Sequence, residues 1–287
     1  MIERDGEWWY AKVYLKPQRQ DAFLEQVVRP LAEIHRSSER QWFFVRYSHH
    51  AELLEHAGPA IPPVPSLQGH HLRIRVRSES TADQVWQDTI LEAARREAHS
   101  GSRTTVARYE PEVARYGGHV GVEIAHELFT VDSLIALTLL RRIRRDALVA
   151  AITSCDLLVR LGLSRDEVTA VYDEHVNWIS NLFERGSVTR QLLASQAEQA
   201  LSGSEQRVGE ARDTVRACPA YRSAAGRLGA IGDRWCEADR CGQLSRPLRE
   251  ICIDLQHMHF NRLGLSPRQE LSAVLLADAA LRRALLP

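Results

Sequence analysis

Lysine is nearly missing from this chain. Of 37 basic residues only Lys12 and Lys16 are lysines, and the rest are arginines. Such a skew reads first as the habit of a GC-rich genome, so no single Arg marks a site by itself, although Arg forks suit carboxylates and phosphates. A surplus of charge of either sign is also missing, because 37 acidic residues balance the basic ones. A zero net charge argues against a strongly electrostatic partner, so no direct contact with nucleic acid is expected. The five cysteines (Cys155, Cys218, Cys236, Cys241, Cys252) are odd in number and include no C-x-x-C. Neither a zinc site nor a disulfide framework is expected from that spacing, and no metal. Apolar runs stop well short of the ~20 residues a membrane span requires. Residues Met1–Tyr10 are charged and then aromatic, unlike a signal peptide, so a cytoplasmic protein without a membrane partner is expected.

Familiar catalytic signatures are absent too. There is no G-x-S-x-G, H-E-x-x-H, P-loop or G-x-G-x-x-G in the sequence. This removes the simplest hydrolase, zincin, kinase and dehydrogenase readings. At 44% hydrophobic and 26% charged the composition is globular, and 287 residues can form one large domain or two smaller ones.

What is present changes character along the chain. Trp8–Leu15 is aromatic and β-branched, as strands are, with Pro17 stopping it. Phe23, Leu24, Val27, Val28, Leu31 and Ile34 recur at helical spacing within Asp21–Arg36. Gln41–Tyr47 reads as a second strand, followed by an irregular loop with Pro59, Pro62, Pro63 and Pro65. In His71–Arg77 the apolar Leu72, Ile74 and Val76 alternate with His71, Arg73, Arg75 and Arg77, so a third strand has one apolar and one cationic face. Thr81–His99 is helical and Arg103–Tyr109 a fourth strand. The expected fold class is therefore α+β: a ferredoxin-like βαββαβ sheet over residues 1–110, then a mostly helical part over 111–287, with Pro111–Gly118 as the joint.

Helix punctuation is clear in that second part. Asp132 is a possible cap for a helix running to Arg145. Ser164-x-x-Glu167 is a capping box ahead of Val168–Phe183. Pro247 suits a first helical position, with Gly264 closing that helix after Arg262. Ser266-Pro267-Arg268-Gln269 opens the last helix. The polar stretch Ser202–Arg216 is either a solvent-facing helix or a loop.

Three features carry candidate chemistry. The cationic strand face is either laced with carboxylates or built to bind an anion. In Arg108–Gly118 a Gly pair allows a sharp turn, which is either an ordinary loop leaving a strand or one that sets Arg115 and Tyr116 at the mouth of a site. In Gln256–Arg262, His257 and Asn261 share one helix face and His259 and Arg262 another. About 200° of rotation separates the two histidines, so a regular helix cannot bring both to one metal.

The ordered series WWYAKVYL, WFFVRY, HLRIRVR, YEPEVARYGG, FTVDS and HMHFNRLGL resembles the thiopeptide-type bacteriocin biosynthesis domain. The same domain forms the C-terminal part of LanB-type lantibiotic dehydratases. The likeness runs from about Glu7 to the end of the chain. It implies a cofactor-independent lyase that eliminates glutamate from glutamylated Ser or Thr of a precursor peptide, leaving dehydroamino acids. The alternative within the family is a pyridine synthase that joins two dehydroalanines in a formal [4+2] cycloaddition with release of the leader. A non-catalytic precursor-binding subunit is the alternative from another class. By motif position the resemblance implies Arg75, Arg115 and His257 as catalytic residues, His257 being preferred to His259. It places Arg73, Arg77, Tyr116, His259, Asn261 and Arg262 against the substrate. The implied partners are a precursor peptide with its leader, held on a free sheet edge, and a separate glutamylation enzyme that uses glutamyl-tRNA.

Overall fold

The computed structural model describes residues 8–34, 40–47, 70–77, 82–97, 103–140, 146–180, 186–202 and 205–286. The proline-rich loop, His49, His50 and Arg145 lie outside them. The described residues form two compact units, one through Pro111 and one from Glu112 onward.

In the first unit β1 (Trp8–Tyr14) leads into α1 (Pro17–Phe23), a π-helical turn (Leu24–Val28) and α2 (Arg29–Ile34). Pro17 therefore opens a helix as well as ending a strand, since the missing N–H is not needed in a first turn. The π turn has a local cause. Pro30 cannot donate to the helical ladder and its ring crowds the carbonyl four residues back, so a wider turn just before it absorbs the misfit. The Arg29 N–H accordingly bonds to Leu24 O, five residues back.

Strands β2 (Trp42–Tyr47) and β3 (His71–Arg77), helix α3 (Ala82–Glu97) and strand β4 (Thr104–Arg108) complete this unit. The sheet is four-stranded, in the order β2-β3-β1-β4, and every pairing is antiparallel. Residues opposite one another in register share a face. One face gathers Ala11, Val13, Phe44, Leu72, Ile74 and Val76, all fully buried, together with Trp42 and the α3 residues Trp86 and Ile90. Trp42 and Trp86 stack at 5.1 Å between centroids. Arg46, on the same side as Leu72, is ion-paired to Asp21 at 2.7 Å.

The second unit is helical: α4 (His119–Leu140), α5 (Ala147–Arg160), α6 (Arg165–Ser180), α7 (Gly186–Leu201), α8 (Glu205–Ala217), α9 (Pro219–Arg240), α10 (Leu248–Leu263) and α11 (Pro267–Arg282). The polar stretch expected as helix or loop thus forms nearly all of α8. Ser164 and Glu167 form the expected box at the start of α6, and Ser266 and Gln269 do the same for α11. Pro247 stands one position before the first residue of α10, and Gly264 ends that helix with φ of +78°, the left-handed turn that glycine adopts without cost. Asp132 is no cap. It lies inside α4, fully buried, because its carboxylate is wanted by two cations of α10. Helix α10 packs against α4, α5 and α6, and α11 against α5, α6 and α7. Among the described residues no helix is long and apolar enough to cross a membrane.

Candidate functional site

The cationic face of β3 is clothed in aromatic rings. Cross-strand register sets Arg75 between Tyr10 and Phe43. Its guanidinium carbon lies 4.6 Å from the Tyr10 centroid, 5.1 Å from Phe43 and 4.7 Å from Tyr109. Trp8 packs edge-on against both Phe43 and Tyr109. Arg75 is only 8% exposed, and each ring face offers its cation an attraction of about 0.5–2 kcal/mol. Arg73 lies 3.9 Å over Tyr47 and donates to His71 Nε2, while His71 sits between Tyr14 and Tyr47. Arg77 donates to Gln41 Oε1 at 2.7 Å. Aromatic rings thus line Arg73 and Arg75 in this row of like charges.

In the helical unit the turn before α4 positions Arg115. Gly117 and Gly118 have φ of +82° and +98°, and the Gly118 N–H closes the turn on Val113 O. Gly117 O accepts from the Ser245 N–H, and a Cβ on Gly117 would lie 2.7 Å from Ile251 Cδ1. Bare backbone is thus required for the turn to lie against the start of α10. Arg115 then reaches Asp254 of α10 at 2.8 Å, and Glu112 at 3.3 Å. Arg246 grips the other Asp254 oxygen at 2.9 Å and donates to Arg115 O.

Most of α10 is buried. The exceptions from Glu250 onward are Glu250, Ile253, Asp254, His257 and Asn261. Glu250, Asp254, His257 and Asn261 are spaced by four, three and four residues, which is one stripe of a helix. The Arg115–Asp254 pair and His257 are therefore neighbours on the single accessible stripe of α10. Two residues singled out from motifs 142 positions apart meet on one surface.

His257 is 23% exposed and its Nδ1 lies 2.8 Å from Glu270 Oε1. The same oxygen lies 2.8 Å from His175 Nε2. Burial alone would raise the Glu270 carboxyl, but His257 and His175 outweigh it and hold the group down at about 2. An ionised carboxylate only accepts hydrogen bonds, so both histidines donate to it. His175 Nδ1 lies 2.5 Å from Gln256 Oε1, and Gln256 Nε2 donates to Ser154 Oγ at 2.7 Å. Nδ1 of His257 thus points inward and Nε2 is the nitrogen on the accessible side, beside Trp178 at 5.0 Å between ring centroids.

His175, His257 and Glu270 are the donor set of many catalytic zinc sites. Their donor atoms all lie within 4.8 Å of one another, and a ring nitrogen of each histidine approaches the same Glu270 oxygen at 2.8 Å. The carboxylate oxygen itself fills the space between the rings, so the arrangement is that of a hydrogen-bonded triad.

The other half of the HMH segment faces inward, as 200° of rotation requires. His259 is bonded at Nδ1 to Asp132 at 2.6 Å and lies 2.9 Å from Thr153 Oγ1. Arg262 donates to the second Asp132 oxygen at 2.9 Å and stacks 4.6 Å over Phe129. Burial pushes Asp132 up, but His259 and Arg262 together bring its carboxyl below the ordinary range. Tyr116 is also buried, edge-on to Phe129, and burial raises its phenol. Tyr116, His259 and Arg262 thus lie beneath the surface, while Asn261 remains on the accessible stripe. Sequence reasoning missed Asp254, Glu270, His175 and Asp132. Asp254 was findable, because it precedes His257 by three residues on one helix; the others have partners on distant segments.

The fold and this cluster define an α+β protein with an aromatic-boxed Arg in its sheet unit and an accessible, carboxylate-held His in its helical unit. Residues 8–53 and 66–281 match the family described as the C-terminal part of lantibiotic biosynthesis dehydratases, and the chain belongs to that family. It is 28% identical over 141 residues to the nisin biosynthesis protein NisB of Lactococcus lactis subsp. lactis; that stretch is 48% of this chain and 12% of NisB. Its fold is similar to that of the tRNA-dependent lantibiotic dehydratase MibB from Microbispora sp. 107891, with a TM-score of 0.67 at 23% identity. That match covers 99% of this chain and 29% of MibB, so the chain spans less than a third of either relative. It also resembles the pyridine synthase TbtD from thiomuracin biosynthesis, with a TM-score of 0.66 at 18% identity, covering 97% and 99% of the two chains.

Proposed function

We propose that this protein eliminates glutamate from glutamylated Ser or Thr in a ribosomally made precursor peptide. The observation that carries the proposal is the accessible stripe of α10, where His257 turns Nε2 outward one helical turn from the Arg115–Asp254 pair. In the reaction His257 Nε2 takes the proton from the α carbon. The electron pair released forms the Cα=Cβ double bond, the Cβ–O ester bond breaks, and glutamate departs as a carboxylate with the pair from that bond. Arg115, fixed by Asp254, stabilises the negative charge that develops on the peptide carbonyl as the proton leaves. Arg75 is the sheet unit's candidate for holding a carboxylate, with Arg73 and Arg77 beside it on β3. Asn261 contacts the peptide on the α10 stripe, and Tyr116, His259 and Arg262 support that surface from beneath.

The antiparallel order β2-β3-β1-β4 and the element sequence βαββαβ support reading the first unit as ferredoxin-like. Edge strand β4, with Thr105 and Val106 exposed, suits an extended stretch of the precursor. Glutamate would be loaded by a separate glutamyl-tRNA-dependent enzyme. A second reading, pyridine formation from two dehydroalanines, rests on the fold likeness to TbtD. The test is mass spectrometry of a precursor supplied once glutamylated and once carrying two dehydroalanines. Loss of glutamate from the first supports elimination, and loss of water and leader from the second supports cycloaddition.

A further inference from the structure

We infer that Glu270 is a positioning residue for His257, holding the imidazole as the Nδ1–H tautomer so that Nε2 presents its lone pair on the accessible side. This rests on reading His257 as the base. Neutral imidazole in water favours the opposite tautomer, with the proton on Nε2, and in that form the outward nitrogen cannot take a proton.

The geometry corrects this in three layers. Glu270, 4% exposed at its side chain, puts one oxygen 2.8 Å from His257 Nδ1. That oxygen is fixed from its other side by His175 Nε2, also at 2.8 Å. His175, fully buried, is anchored in turn through Gln256 to Ser154. The triad draws on α6, α10 and α11, and Ser154 adds α5, so a rigid core fixes the carboxylate. Trp178, 41% exposed, packs edge-on against both histidine rings, at 5.5 Å from His175 and 5.0 Å from His257 between centroids. A carboxylate behind an imidazole does the same for serine proteases, where the amide substitute costs about 10⁴-fold in kcat. Here two histidines share one carboxylate oxygen.

The experiment uses the full chain labelled with ¹⁵N-histidine. The His257 ring signals are identified as those missing in His257→Asn. At neutral pH the wild type is expected to show a protonated Nδ1 and a bare Nε2; the reverse pattern would overturn the inference without recourse to any variant. Turnover is then followed on a synthetic peptide carrying one O-glutamyl serine. Glu270→Gln, which keeps the shape and can offer an amide N–H to the ring, is expected to lower kcat about 100-fold with KM within about twofold. It should also shift His257 towards the Nε2–H form, and Glu270→Asp should recover part of the rate. If His257→Asn is inactive but Glu270→Gln matches the wild type, the positioning role falls and the functional reading stands. If His257→Asn itself eliminates glutamate at the full rate, the functional reading falls and takes this inference with it.

Discussion

Arg115 is bonded to Asp254 at 2.8 Å, three residues before His257 on the same stripe of α10. Asp254 also binds Arg246, so one carboxylate orients two guanidinium groups, and Arg115 is the one that belongs to the turn closed by the Gly118 N–H on Val113 O. Asp254→Ala removes the anchor but leaves the cation. Elimination is expected to fall about tenfold, as for loss of a group that orients a reacting residue, while the melting temperature moves little because the pair is partly solvated. Steady-state kinetics and thermal melting check this together.

Gly117→Ala tests the turn. An alanine there keeps a φ of +82° only under strain and pushes its Cβ to 2.7 Å from Ile251 Cδ1. The expected cost is about 1–3 kcal/mol in chemical denaturation, with turnover reduced through displacement of Arg115. An alanine variant as stable as the wild type would show that the turn does not depend on bare backbone.

Asp132→Ala leaves His259 and Arg262 buried without their counter-charge. Breaking a buried pair from one side costs about 3–5 kcal/mol, and that loss should appear as a lower denaturation midpoint with an unchanged slope. Surface ion pairs such as Arg96–Glu92 should contribute little by the same measurement.

Acid should destabilise the helical unit through Glu270 and Asp132. Glu270 falls from 4.5 to about 2 on folding, and Asp132 is shifted in the same direction. For a depressed carboxyl the native state binds fewer protons, so its stabilising contribution is complete above about pH 4.5. It is lost as the pH falls from there through about 2, and amounts to on the order of 3 kcal/mol for Glu270. Wild type and Glu270→Gln should therefore differ in stability at pH 7 and converge as the solution is acidified.

Arg75→Lys keeps the charge but not the flat guanidinium that lies against Tyr10, Phe43 and Tyr109. Turnover should fall more than tenfold while the sheet unit loses about 1 kcal/mol or less. Equal activity in the two proteins would mean that only a charge is needed there.

Local pattern made much of this structure readable. Alternation in HLRIRVR defined β3 to the residue, because a sheet with one buried face imposes period two. Caps at Ser164, Ser266 and Gly264 followed from orphaned backbone groups at helix ends. What was not legible depends on pairing over distance. Asp132 looks like a cap because Asp favours helix starts, yet its partners His259 and Arg262 lie more than 120 residues away and pull it into the core. The arginines of β3 read from sequence as paired with carboxylates or open to an anion, and only register supplies Tyr10, Phe43 and Tyr47 from neighbouring strands. Glu270 reads as an ordinary first-turn acid of α11, and nothing in its own segment announces two histidines.

The most direct test of the account is mass spectrometry of a glutamylated precursor peptide incubated with wild-type protein and with His257→Asn. Wild type is predicted to release glutamate and leave a dehydroamino acid, and His257→Asn to leave the glutamyl ester in place. An unchanged glutamyl ester after incubation with the wild type, or equal release by both proteins, would contradict it.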